Sequence, residues 1–572
     1  MKKLISVFLC ISLLVSVTGI CAVAAQPDEG ISFALASDLH YNVPRDAIEG
    51  EIDDPIFWYS NRRAAMNDES GFIIDEFLRQ CAQDEECEFV LISGDLADHG
   101  RTIPQEHYDM AEKLRAFEES SGKQVYVING NHDASEDSQT TFADFMRIYA
   151  DFGYDKALAT DEGTCSYTAN LGTKYRLIAL DSCGKTASTE DGMSQEKLDW
   201  VHEQADAAKR DGRYPILMMH HNLLDHMPLE RIISRNFIVR FHYTTAELFA
   251  DWGIKLVFTG HEHCSDATSF TSALGNVIYD FATTALTMYP LEYRMFSITE
   301  NEIEYTAKSI DSIDTDALTA RVSGYSPEQI SLMNSDMRAY SKGFLKKGIE
   351  YRLSLSLSME KLGIAEDAIY YNLVKTAVEG ITDILSMPLY GDNSVQQIAE
   401  QYGTQLPDSD FETGWDLVTD VVAAHYAGEE AYDLDGPEVT LLLKTLVLIL
   451  KTDLAAVSDE LFLGVARDML EQLGADVISD ELTELGNSVY GSVEAGQYFI
   501  LALVSPLLYG FAYDDDGVND NNGILPGYGS VSAGENLANI GANVTGIAAR
   551  ITHFVQMIMK YVNMLANLKE AF

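Results

Sequence analysis

Five short apolar runs in this chain each end on residues able to hold a metal ion. ISFALAS (31–37) is followed by Asp38-Leu39-His40 and FVLIS (89–93) by Gly94-Asp95. QVYVIN (124–129) leads into Gly130-Asn131-His132-Asp133, YPILMM (214–219) into His220-His221, and IKLVFT (254–259) into Gly260-His261-Glu262-His263. Period-2 alternation lets Asp38 and His40, and again His261 and His263, project the same way from a strand end, with Glu262 opposite. One such histidine alone reads best as a hydrogen-bonded core residue; five coincident strand ends read as a shared metal centre. Imidazole, carboxylate and an amide oxygen without thiolate suit Fe, Mn or Zn rather than Ca or a soft metal. These side chains are too many for one four-coordinate zinc, whereas two ions sharing one carboxylate would use them. Two cations about 3.5–4 Å apart can neutralise a phosphate ester and lower the pKa of a bridging water.

The elements that must position these residues are legible as well. The five runs, with YRLIAL (175–180), have the length and composition of buried strands. Helical patterns such as GFIIDEFLRQCA and SQEKLDWVHEQADAAK separate them, so residues 28–310 read as α/β. Open α/β sheets place their sites at the carboxyl ends of strands, where all five clusters fall. Eleven of the 13 histidines lie between residues 40 and 263; His425 and His553 sit in helical patterns and read as structural.

The ordered blocks D-x-H, G-D, G-N-H-D, H and G-H-x-H resemble the calcineurin-like metallophosphoesterase superfamily over residues 31–263. The resemblance implies a β-sandwich flanked by helices, and a first metal held by Asp38, His40 and His263. It implies a second held by Asn131, His220 and His261, with Asp95 bridging the two. His132 would contact the phosphate or protonate the leaving group, and Asp133 would orient His132 or its loop. His220 is taken over His221 from the family's H-x-P pattern, although Asn222 stands where proline is usual. The purple acid phosphatase branch places a Tyr ligand three residues after the bridging Asp. Here that position is Asp98, which excludes the branch; Asp98 and His99 read as loop residues or supports behind the ligands.

With 572 residues the chain needs at least two domains. Residues 1–25, within MKKLISVFLCISLLVSVTGICAVAAQ, read as a secretory signal peptide cleaved after Ala24 or Ala25, and Ile20 before Cys21 disfavours a lipid anchor. Residues 26–320 form the expected catalytic domain and 321–572 a mostly α-helical C-terminal domain, either packing support or an attachment module. Pro506 interrupts the apolar stretch 497–513, which reads as a buried helix pair rather than a membrane span. The acidic loop YDDDGVNDNNG (513–523) is oxygen-rich but lacks the Glu that closes an EF-hand, so a solvated turn is expected. Cys81 with Cys87 and Cys165 with Cys183 are candidate disulfides, and Cys264 a buried thiol.

A formal net charge of −50 argues against nucleic acid polymers and anionic membranes as partners. It does not argue against a small phosphate ester, because bound metal reverses the local sign. The expected function is a secreted dinuclear-metal phosphoesterase acting by a metal-bridging hydroxide. Phosphodiesters such as a lipid head group, a glycerophosphodiester or a nucleotide are the expected substrates; the alternative is a phosphomonoesterase, perhaps nucleotidase-like. A non-catalytic binding protein on the same fold is disfavoured because Asp95, Asn131 and His132 are all present. Segments 41–63 and 222–243, with Arg62, Arg63, Arg240, His226 and His242, flank the expected site.

Overall fold

The computed structural model describes residues 30–43, 64–185, 193–227, 230, 236–356, 382–433, 436–452, 510–514 and 517–530. The expected leader, Arg62, Arg63, His553 and residues 497–509 of the expected helix pair lie outside the described residues.

Thirteen strands form two sheets among the described residues. They are β1 (Ile31–Ala36), β2 (Phe89–Ile92), β3 (Gln124–Val127), β4 (Ala159–Thr160), β5 (Tyr167–Leu171), β6 (Tyr175–Ala179), β7 (Tyr214–Met218), β8 (Leu256–Thr259), β9 (Asp266–Thr271), β10 (Val277–Ala282), β11 (Glu292–Ile298), β12 (Glu302–Ser309) and β13 (Asn522–Pro526). One sheet runs β13-β12-β11-β1-β2-β3, the other β4-β5-β6-β7-β8-β10-β9. The pairs β1–β2, β2–β3, β6–β7 and β7–β8 are parallel. Parallel neighbours need long crossovers, and these carry the helices. Helices α1 (Ser70–Gln83) and α2 (Pro104–Ser121) connect the first three strands, and α3 (Phe142–Ile148) follows β3. Helices α4 (Gln195–Arg210) and α5 (His242–Asp251) connect β6 to β7 and β7 to β8.

Strand alternation assigns each side chain to a layer. Leu177, Ile216, Met218, Leu256 and Phe258 face the core shared by both sheets. Their neighbours Ile178, Leu217 and Val257 face the opposite way, under Val201 and Ala205 of α4 and Ala246 and Phe249 of α5. Between the sheets Phe33 stacks on Phe89 and Phe296, with ring centroids 5.0 and 5.4 Å apart, and meets Phe258 edge-on. The architecture is the expected helix-flanked β-sandwich. It brings the carboxyl ends of β1, β2 and β3 opposite those of β7 and β8.

Beyond β12 the chain continues as α6 (Thr315–Arg321), α7 (Pro327–Ser335), α8 (Met337–Ser356), α9 (Val395–Gln401), α10 (Gly414–Tyr426) and α11 (Pro437–Thr452). Leu318, Met333, Met337 and Tyr340 join the sandwich core, and the Tyr325 and Tyr340 hydroxyls donate to Glu69 at 2.9 and 2.5 Å. Chain on both sides of position 320 therefore packs as one unit. A separate core holds Trp415, Leu417 and Val421 of α10 with Leu441 and Leu448 of α11. Lys342 and Lys346, one turn apart on α8, pair with Asp420 and Asp416 on α10, each at 2.6 Å.

In the expected solvated turn at 513–523, Asp520 is 6% exposed, while Gly517, Asn519 and Asn522 are exposed, and β13 from Asn522 joins the edge of the sandwich. The burial follows from Ala267 N donating to Asp520 at 3.0 Å, which ties the loop to β9. All five described cysteines are buried free thiols, so neither disulfide forms; the Cys81 and Cys87 thiols share a hydrogen bond instead. Among the described residues no helix is long and apolar enough to cross a membrane.

Candidate metal centre

The chain turns sharply as it leaves each site-bearing strand. Asp38, His40, Asp95, His261 and His263 have φ of 49°, 42°, 48°, 65° and 65°. They are five of the nine described non-glycine residues with positive φ, a conformation costing about 1–3 kcal/mol each and concentrated at functional sites. The paired residues thus share a direction through repeated left-handed turns, not through continued strand alternation. Gly260 permits the approach of one turn to another, since a Cβ there would lie 2.3 Å from Asp38 Oδ2.

Two clusters result. Asp38, His40 and His263 converge, with His263 Nε2 3.2 Å from both His40 Nε2 and Asp38 Oδ1. Asp95, His220 and His261 converge beside them: His220 Nε2 lies 3.1 Å from His261 Nδ1, 3.3 Å from Asp95 Oδ2 and 3.0 Å from Asn131 Oδ1. Asp95 Oδ2 is also 3.9 Å from His40 Nε2, which puts it between the clusters. The structure therefore gathers all seven expected ligands. His220, not His221, faces the group; His221 Nδ1 pairs with the Ser182 hydroxyl at 2.9 Å.

The donor set fits a pair of metal ions. Asp38 Oδ1 and Asp95 Oδ2 are buried without a hydrogen bond, a costly state for a carboxylate oxygen. His220 Nδ1 donates to Ser93 O at 3.0 Å, and His40 Nδ1 lies 3.0 Å from Asp98 Oδ1. Both rings are thereby turned so that Nε2 points into the cluster, where facing nitrogens repel unless a cation lies among them. Burial opposes charge on His40, yet Asp38 and Asp98 push its pKa up to about 10. His220 rises to about 9 against the same burial, through Asp95 and Asp38. Burial would raise Asp38 and Asp95, but neighbouring imidazoles, His220 foremost, hold both well below the usual carboxylate range. The site is built to hold positive charge.

His132 lies at the margin. Its backbone N–H donates to Asp95 Oδ1 at 2.8 Å, its Nδ1 donates to Asp98 O at 2.7 Å, and its side chain is 27% exposed. It also falls within ligating reach of His40 and Asp95. Asp133 is fully buried and accepts from Ala97 N at 3.1 Å and Gly130 N at 2.8 Å. It therefore positions the two loops rather than touching a substrate. Asp98 is the support sequence reasoning left least defined; its carboxylate beside His40 and carbonyl on His132 serve both halves of the site. Among the flanking residues, Phe237 approaches, its ring 4.3 Å from that of His261. His226 pairs with Asp266 and Asp280, and His242 with Asp225, so neither is brought to the centre.

Residues 31–265 match the family model described as calcineurin-like phosphoesterase. No curated protein matches the sequence significantly. Among solved structures the chain is similar to a dimetal phosphatase from Danio rerio at 12% identity, covering 49% of this chain and 96% of that one, with a TM-score of 0.35. It is similar to a purple acid phosphatase from yellow lupin at 10% identity, covering 49% and 52%, with a TM-score of 0.33. Vacuolar Protein Sorting 29 from Cryptosporidium parvum is 12% identical over 49% and 92%, with a TM-score of 0.22. Likenesses this loose carry no argument of their own.

Proposed function

Residues 31–265 belong to the calcineurin-like phosphoesterase family, the chain is a metal-dependent phosphoric ester hydrolase, and from that premise we propose that it cleaves phosphodiesters outside the cytoplasm. Asp38, His40 and His263 would hold one metal ion, Asn131, His220 and His261 a second, and Asp95 would be shared. The observation that carries this reading is Asp95 Oδ2, buried without a hydrogen bond between the two clusters. A pair of Fe, Mn or Zn ions supplies neutralisation of the phosphate charge and a hydroxide nucleophile at neutral pH.

The chain's own residues do the rest. Asp98 and Ser93 O hold the His40 and His220 rings in register. Asp133 pins the loop that carries Asn131 and His132 to the loop after Asp95. His132, with Nδ1–H fixed on Asp98 O, presents Nε2 to the cavity and, when protonated, gives a proton to the departing alkoxide. A small, partly open cleft of about 30 Å³ lies beside His263, walled by Met288, Tyr289, Leu345, Ile349 and Tyr426. Its apolar lining suits the second esterified group of a diester better than the extra charge of a monoester. The leader-like residues 1–25 support secretion, and N-terminal sequencing of exported protein should begin at residue 25 or 26.

The test is hydrolysis of bis(p-nitrophenyl) phosphate against p-nitrophenyl phosphate by metal-stripped protein refilled with Mn, Fe or Zn. Diester preference that requires metal and disappears in Asp95→Ala is the expected result. Monoester preference would replace the diester reading with a phosphatase. Inactivity with every metal despite a bound pair would replace it with a binding role.

A further inference from the structure

The histidine rings of the centre are held in different ways. Those of His40 and His220 are turned by partners of Nδ1, Asp98 Oδ1 and Ser93 O, at 3.0 Å each. His261 faces the cluster with Nδ1 instead, 3.1 Å from His220 Nε2, and among the described residues no hydrogen bond reaches its other nitrogen. Rings pack on it in place of a hydrogen bond. The Phe237 ring stands 4.3 Å away between centroids, with the planes 38° apart. His221, tied to the Ser182 hydroxyl at 2.9 Å, stands 4.5 Å away. Phe237 is half-buried and comes from the connection between β7 and α5.

Asn222, two residues after His220, holds Phe237 in place. Its N–H donates to Phe237 O at 3.0 Å and its carbonyl accepts from Val239 N at 3.0 Å, which lays residues 237–239 alongside the chain leaving β7. Ile238 and Val239 are buried, so Phe237 cannot swing out without exposing them. Asn222 is itself fully buried; its Nδ2 donates to Glu230 Oε1 at 3.1 Å, and Glu230 Oε2 accepts from His226 N at 2.6 Å. Asp280 of β10 accepts from Leu223 N and Leu224 N at 2.8 and 2.9 Å. A buried polar network satisfied in this way fixes one backbone path. Proline, usual at position 222 in the H-x-P pattern, has no N–H to give to Phe237 O.

We propose that Phe237 is a positioning residue for the second metal ion: its ring keeps His261 turned with Nδ1 toward the cluster, and the Asn222 N–H keeps Phe237 there. His220 and Phe237 are joined through Asn222, so the two imidazoles of the second site share one support. An imidazole already held in its binding orientation loses less freedom when metal binds, so a packed ring strengthens binding without touching the ion. The first-site rings of His40 and His263 pack on each other instead, with centroids 5.1 Å apart. The inference rests on the ligand assignment proposed above.

The experiment titrates the metal-stripped full chain with Mn and with Zn by calorimetry, in backgrounds that keep one site each. His263→Ala keeps the second site and His261→Ala the first. Phe237→Ala should weaken binding ~10-fold in the His263→Ala background and leave it unchanged in the other. Phe237→Tyr, which keeps the ring, should retain the parent affinity, and Asn222→Pro should match Phe237→Ala. In the chain with both sites, Phe237→Ala should make one of the two ions, not both, easier to remove with a chelator. Unchanged affinity in Phe237→Ala would overturn the proposal, as would equal losses at both sites or a loss that Phe237→Tyr shares. A lower unfolding temperature of metal-stripped Phe237→Ala with both affinities intact would make Phe237 a packing residue only. Should Asn222→Pro fail to fold, the two Phe237 variants decide. A parent chain that binds fewer than two ions would overturn the ligand assignment and this inference with it, an outcome distinct from failure at Phe237.

Discussion

Asp98 and His132 show how single atoms divide the work of the centre. Asp98 is not itself an expected ligand, yet its carboxylate stands 3.0 Å from Nδ1 of the ligand His40. Replacing it with Asn removes the charge that holds this ring. Loss of such a partner costs ~10–100-fold in metal affinity. Asp98→Asn should therefore release metal to a competing chelator at correspondingly lower chelator concentration, while Asp95→Asn should lose more. His132→Gln separates proton donation from charge neutralisation. With p-nitrophenolate leaving, little proton transfer is needed and the rate should barely change; with an alkyl leaving group it should fall ~10²–10⁴-fold. Equal losses with both leaving groups would mean His132 acts as a ligand or binder instead. All seven candidate ligands were legible because their types recur at strand ends. What sequence could not show was the left-handed backbone at five of the site's residues, since φ follows from how two loops pack and not from residue type.

At the scale of elements, α2 carries a buried histidine outside the cluster. His107 Nε2 donates to Asp133 O at 2.8 Å, Nδ1 accepts from the Tyr149 hydroxyl at 3.0 Å, and the ring meets Phe145 edge-on. Neutral imidazole satisfies both bonds, and burial drives the pKa down to about 4 from the ordinary 6.5. The unfolded chain therefore takes up this proton first. The stabilisation from His107 is complete above pH 6.5 and drains away as pH falls toward 4, up to about 3 kcal/mol. In metal-stripped protein, His107→Gln should be less stable than the parent at pH 7 by urea unfolding. That gap should close between pH 6.5 and 4; a gap independent of pH would assign His107 a packing role only. The six buried strands at the heart of the two sheets were readable as apolar runs, within one or two residues of their observed ends. Strands β9 to β12 were passed over because the reading followed continuous apolar runs, whereas EIEYTAKS shows the polar–apolar alternation of a half-buried antiparallel strand. Asn522–Pro526 was read as the end of the turn at 513–523 and the start of the helical region beyond it, since nothing local marks it as the partner of β12 more than two hundred residues earlier.

The whole molecule is joined more closely than its change of composition near residue 320 suggests. Helix α8 reaches from the sandwich core, through Met337 and Tyr340, to a small cluster in which Leu345 meets Tyr289, Ala423 and Ala427. On the way it lines the cleft beside His263 with Leu345 and Ile349. If that cleft receives the second ester group of a diester, the helical region takes part in substrate choice as well as in support. Ile349 is half-buried, packs against the helical core and against the cluster around Leu345, and lines the cleft, so Ile349→Trp narrows the cleft. A group displaced from an apolar pocket loses ~10–200-fold in discrimination. Ile349→Trp should raise KM for bis(p-nitrophenyl) phosphate by about 10-fold while leaving methyl p-nitrophenyl phosphate, whose second group is small, nearly unchanged. Because the substitution lies away from the ligands, bound metal measured by mass spectrometry should stay at two per chain. Equal KM changes for both esters would place the second group elsewhere and return α8 to a purely supporting role. A fall in kcat for both, with metal retained, would mean that the helix positions His263 rather than the substrate.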